Sequence, residues 1–118
     1  MNDKNNNKKA VIDTEVLRKI IEYDREFEKE LFDIFMENAN FNIQKLENAI
    51  KNNDNNSWYM AAHALKGACG SIGAFDLAKT FELAQKNSES GYDKKNDILT
   101  QIKKEYRLVV EFINDNNN

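Results

Sequence analysis

The chain has 118 residues, 41% hydrophobic and 31% charged, with four glycines, no proline and a net charge of −3, the size and balance of one globular domain with little turn chemistry for a β-rich fold. The acidic balance (pI near 5.2) and the lack of a Lys/Arg block exclude an electrostatic nucleic-acid binder. No apolar run approaches the roughly 20 residues that span a bilayer, Met1 to Lys9 lacks the apolar stretch of a signal peptide, and a lone cysteine suits a reducing compartment, so a cytoplasmic protein is expected.

Residues 1–10 are polar and Asn-rich and read as a flexible tail, as do Asn114 to Asn118, because neither stretch can bury enough surface to offset its ordering entropy. Between them, residues 11–113 read as one domain of five helical segments. The first runs from Thr14 to Glu22 behind a cap at Asp13, with Val16, Leu17, Ile20 and Ile21 apolar; it is too short to stand alone and must dock. Asp24 caps the second, whose apolar positions Phe27, Leu31, Ile34, Phe35, Ala39, Ile43, Leu46 and Ile50 keep steps of three and four to about Lys51. The cluster Asn52 to Asn56 ends it.

Ser57 is the expected cap of a third helix reaching Ile72, closed by Gly73 in the left-handed position. Asp76 is the expected cap of a fourth, with Leu77, Phe81, Ala84 and Ser88 on one stripe and a stop at Gly91. The fifth runs from Lys94 to Ile113, with Ile98, Ile102, Tyr106, Val109 and Ile113 at helical spacing. Long amphipathic helices joined by short links imply an all-α fold, an antiparallel up-and-down four-helix bundle with a short additional N-terminal helix across one end.

The third helix holds the only histidine. On a wheel at about 100° per residue, Trp58, Ala61, Ala62, Ala68, Cys69 and Ile72 cluster within roughly 60° of Leu65, while His63 lies about 160° away with Gly67 and Gly70 on its face. A mid-helix glycine costs about 1 kcal/mol relative to alanine. Two of them on a solvent face, where no internal packing demands them, point to close approach by something from outside; the bland alternative is a tolerated glycine pair beside a surface histidine. A neutral imidazole, with an ordinary pKa of about 6.5, is nucleophilic at cytoplasmic pH, and Lys66, three residues on, can offer a point charge to phosphate oxygens.

His63-Ala64-Leu65-Lys66-Gly67-Ala68, with Gly73-Ala74 closing the segment, resembles the H-x-L-K-G signature of histidine phosphotransfer (HPt) domains. Leu31, Phe35, Leu46, Ala49, Asp54, Leu77, Glu82 and Gly91 match the family's usual spacings, so the likeness covers about residues 12 to 113. It implies that His63 is the phosphoacceptor, that Lys66 and Gln85 form the phosphate environment, and that Gly67, Gly70 and Met60 form the docking surface. If the third and fourth helices form a hairpin pivoting near Ala74, His63 and Gln85 each lie eleven residues from the pivot and stand at similar height. Where some members carry a basic residue four positions after Gln85, this chain has Glu89.

The implied partners are receiver domains of response regulators or of a hybrid histidine kinase, one donating the phosphoryl group from an aspartyl phosphate and another accepting it in a two-component phosphorelay. Mg²⁺ is expected on the receiver, with no cofactor on this chain. Neither G-x-G-x-x-G after a strand nor G-x-x-x-x-G-K occurs, so a monomeric carrier without its own ATP site is expected rather than an enzyme. A hydrolase would need a second catalytic group converging on His63. A metal site would need ligands at useful spacing, which one histidine and a core-facing Cys69 do not supply. A helical adaptor that binds signalling partners without phosphorylation shares every feature except His63 itself, and a domain excised from a larger hybrid or chemotaxis-type kinase would read the same.

Overall fold

A computed structural model describes residues 11–116; the expected tail at residues 1–10 lies outside the described residues, as do residues 117–118. The described residues form five helices and no strand: α1 (Thr14–Ile20), α2 (Arg25–Asn52), α3 (Asn55–Ile72), α4 (Phe75–Lys86) and α5 (Tyr92–Asn116). Helix α3 packs on α2 and α4, and α5 packs on α4 and α2, so the four longer helices close a ring of neighbours, while α1 packs on α3. Trp58, Phe32, Phe81, Leu46, Leu65, Ile102 and Ile113 are the large side chains at the centre. No helix among the described residues is long and apolar enough to cross a membrane.

Local chemistry sets the helix ends. Asp13 Oδ1 accepts from Glu15 N, and Asp24 Oδ1 accepts from Phe27 N at 3.0 Å, so both expected caps form. The expected cap at Ser57 is corrected. Helix α3 starts three residues earlier behind Asp54, whose Oδ1 accepts from Ser57 N at 3.0 Å and whose Oδ2 accepts from Ser57 Oγ at 2.7 Å. These bonds, the hydroxyl contact first, hold the Asp54 carboxyl below its ordinary pKa. Asn53 takes the left-handed conformation (φ 52°, ψ 45°), which asparagine tolerates better than most residues, so the link between α2 and α3 is one tight turn. The expected cap at Asp76 is corrected too: α4 starts at Phe75 behind Ala74, which is buried and makes no side-chain cap. It ends at Lys86, ahead of the expected stop.

Helix α1 ends at Ile20, two residues short of its expected end, where Glu22 and Tyr23 turn through positive φ. Helix α5 starts two residues early and continues three past Ile113, which corrects the expected tail for residues 114–116. Asn116 Nδ2 donates to Phe112 O at 2.9 Å, and its carbonyl accepts from Arg25 at 3.3 Å. On α2, Phe27 and Ile34 are exposed, Phe32 is fully buried and Glu28 lies on the core face. The first half of the stripe is thus rotated from the expected one. Glu28 is held there by a two-pronged contact with Arg18 of α1, Nε to Oε1 at 2.6 Å and Nη2 to Oε2 at 3.1 Å. That bond chiefly raises the guanidinium pKa and fastens α1 to α2.

The turn between α3 and α4 is strapped from outside. Asp13 N donates to Gly73 O at 2.8 Å, and Ile12 and Leu17 are buried beside it. Gly73 has φ +87°, and a Cβ there would run into the Asp13 carbonyl. Gly73→Ala therefore combines left-handed backbone strain with a clash against main chain. It should lower stability by at least about 1–2 kcal/mol, measured as a drop in Tm with unchanged helical content at low temperature.

Candidate functional site

Helix α3 has two faces of opposite character. Trp58, Ala61, Ala62, Leu65, Cys69 and Ile72 are buried, Ala68 is half-buried, and His63 is exposed on the other side. The indole of Trp58 donates from Nε1 to the Ala84 carbonyl at 2.7 Å in the core. That carbonyl lies in the last turn of α4 and also accepts from the Asn87 N–H at 3.1 Å. Lys95 of α5 rests over the same indole, its Nζ 5.4 Å from the ring centroid and 2.5 Å from Asn55 Oδ1. Burial lowers the Lys95 pKa despite the neighbouring Asp54 carboxylate.

This tie brings the residue after Ala84 against the histidine face. Gln85 Oε1 lies 3.4 Å from His63 Nδ1, and Gln85 Nε2 donates to the Tyr59 hydroxyl at 3.0 Å. Tyr59 stands one turn before His63 with its ring almost parallel to the imidazole, at 4° and 6.1 Å between centroids, within the usual range for aromatic pairs. An amide oxygen can only accept, so the Gln85 contact is a hydrogen bond when Nδ1 carries the proton. Nε2 then keeps its lone pair.

Lys66 is partly exposed, with Nζ 3.9 Å from Glu82 Oε2; Lys86 approaches the same oxygen at 3.6 Å. Ion pairs this long and this solvated are worth about 0–1 kcal/mol, so Glu82 does not immobilise Lys66. A Cβ added to Gly67 or Gly70 would meet nothing within 4 Å. Neither glycine serves internal packing, and both leave the helix surface low beside His63.

Met60 is 58% exposed and, with Ala64, lines a groove of about 400 Å³ between α3 and α2, walled on the other side by Asn42, Lys45 and Ala49. It therefore faces α2, whereas Tyr59 and Gln85 join α3 to α4. Cys69 is fully buried, and burial pushes its thiol up to about 12, a packing residue rather than a nucleophile.

The sequence reading missed Tyr59 and the Glu82–Lys86 arm. The spacing of Tyr59 four residues before His63 was the available signal for the first. Glu82 and Lys86 stand four apart on α4 with no mark that they face Lys66. Lys86 supplies a second cation to this ion cluster, although position 89 is acidic.

Three comparisons bear on this arrangement. A family model for the Hpt domain matches residues 30–110. No curated protein matches the chain. The crystal structure of histidine-containing phosphotransfer protein B from Pseudomonas aeruginosa is similar in fold, with a TM-score of 0.84 at 20% sequence identity, over 93% of this chain and 96% of that one.

The open space at Gly67 has a direct consequence for stability. Gly67→Ala should raise it by up to about 1 kcal/mol, because the helix gains propensity and no neighbour must move. The check is thermal or denaturant unfolding; a loss of stability would mean that this face is packed.

Proposed function

The chain belongs to the Hpt domain family and is a histidine phosphotransfer protein of phosphorelay signalling, and from that premise we propose that His63 Nε2 is the atom that carries the phosphoryl group. The observation that supports this most is the exposed imidazole on α3 with Nδ1 turned to the Gln85 oxygen at 3.4 Å. With the Nδ1 proton held there, Nε2 presents a lone pair to solvent and needs no base to activate it.

A phosphorylated receiver would bring its aspartyl phosphate over this face. The bond from phosphorus to the carboxylate oxygen breaks as the bond from phosphorus to Nε2 forms, and the carboxylate leaves as an anion. Nδ1 keeps its proton throughout, so the ring becomes an imidazolium that carries the anionic phosphoryl group on Nε2 and faces the amide oxygen with Nδ1–H. Transfer to a second receiver is the reverse displacement. Lys66 supplies positive charge to the phosphoryl oxygens, and Gln85 fixes the ring. Gly67 and Gly70 leave room for the receiver to close, and Met60 provides apolar contact at the edge of the surface. In-line geometry and charge neutralisation carry such reactions, and the Mg²⁺ they use belongs to the receiver in this scheme.

The ring of helix neighbours and the short links support an antiparallel up-and-down bundle of α2 to α5, with α1 across one end. The domain is taken to span residues 11–116, acting as a cytoplasmic monomer without its own ATP site.

Two variants test the proposal. His63→Gln should keep the fold, because the side chain is exposed, and should lose all acid-labile, base-stable phosphate after incubation with a phosphorylated receiver. Retained phosphate would refute the assignment. Lys66→Ala should slow transfer or shorten the phosphohistidine lifetime by roughly tenfold, the lower end for a charge-assisted contact on an exposed side chain. Rates equal to wild type would leave Lys66 a surface lysine.

A further inference from the structure

A glutamine amide has two ends, and either can face an imidazole. With the oxygen towards Nδ1, the ring is satisfied as the Nδ1–H tautomer, and Nε2 holds the lone pair. With the nitrogen towards Nδ1, the amide donates to Nδ1, the proton moves to Nε2, and the outward nitrogen has no lone pair to attack with. The orientation of Gln85 therefore decides whether His63 is a nucleophile, and His63 itself cannot fix it, because each tautomer satisfies one orientation.

Tyr59 holds the other end of the amide. Its hydroxyl accepts from Gln85 Nε2 at 3.0 Å while Gln85 Oε1 stands 3.4 Å from Nδ1. The Tyr59 ring lies parallel to the imidazole at 4°, and both rings belong to one helix, one turn apart. The hydroxyl, the amide and the imidazole thus form a closed chain in which the protons run one way, and Ala84, just before Gln85 on α4, is fixed by Trp58.

Resting on His63 as the phosphoacceptor, we propose that Tyr59 is a positioning residue that acts through Gln85 to hold His63 in the Nδ1–H tautomer. The phosphorylated state requires the same orientation: once Nε2 is bonded to phosphorus, Nδ1 carries the proton and faces the amide oxygen. The amide then has nothing to reorganise during transfer, which is the general advantage of a preorganised polar site. The reverse chain, with Tyr59 donating to the amide oxygen and the amide donating to Nδ1, is the rival arrangement.

The test is the ¹⁵N spectrum of the imidazole in the unphosphorylated protein, recorded above the titration of the ring. The wild type should give a protonated, pyrrole-type Nδ1 and an unprotonated, pyridine-type Nε2. Tyr59→Phe keeps the ring and removes the hydroxyl; the population should shift towards Nε2–H, and transfer should slow by roughly two- to tenfold, as for one neutral hydrogen bond. In a Gln85→Ala background the same substitution should change neither. A wild-type ring in the Nε2–H form, or a Tyr59→Phe spectrum unchanged from wild type, would overturn the proposal. So would an equal effect of Tyr59→Phe without Gln85, which would assign the role to stacking alone. Because the tautomer is read without phosphate, a protein that shows the expected spectra but accepts no phosphoryl group would refute the phosphoacceptor reading and leave the Tyr59 role standing.

Discussion

One buried hydrogen bond sets the register on which the site depends, from the Trp58 indole to the Ala84 carbonyl at 2.7 Å. Apolar packing alone leaves two helices free to slide by a fraction of a turn at little cost. A desolvated donor must find its acceptor or forfeit about 1–3 kcal/mol. The acceptor is a carbonyl in the last turn of α4 that also receives the Asn87 N–H, so the indole takes up its second lone pair. Lys95 over the indole face ties α5 to the same point. With Trp58 fixed inward, Tyr59 and His63 are fixed outward, and with Ala84 fixed, Gln85 meets them.

Stability and function therefore lie on opposite faces of one helix. The inward residues of α3 are small or tightly fitted, namely Ala61, Ala62, Leu65 and Cys69 beside Trp58, and they let α2 and α4 approach closely. The outward residues contribute little to folding. Gly67 and Gly70 even reduce it, with nothing around them to explain their presence within the isolated molecule. That cost falls on the surface around His63, the face proposed above to meet a receiver.

Much of this was legible from residue spacing. Every expected helix exists, the inward and outward faces of α3 fall where the wheel puts them, and counting from the Ala74 turn puts Gln85 level with His63. The departures have local physical causes. Asp54 was read as part of an Asn-rich breaker, but one left-handed asparagine suffices to turn the chain, which frees Asp54 to cap α3. The start of α4 follows from a buried Ala74 and the Asp13–Gly73 strap, a contact between residues 60 apart that no local pattern announces. The expected stripe on α2 follows apolar spacing through Phe27 and Ile34, a pattern in which Glu28 has no place; only Arg18, on another helix, makes Glu28 fit on the core face. Of the site, the histidine, lysine and glycines could be read from one helix. The Tyr59–Gln85–His63 chain could not, because its order depends on which end of an amide faces which ring.

The central claim is that Nε2 of the chain's only histidine forms the bond to phosphorus, and ³¹P spectroscopy on protein labelled with ¹⁵N in histidine tests it most directly. After incubation with a phosphorylated receiver, the expected spectrum has one new phosphorus resonance, split by a single ¹⁵N that long-range proton correlations assign to Nε2 of His63. A phosphorus resonance with no ¹⁵N splitting, or one coupled to Nδ1, would contradict it.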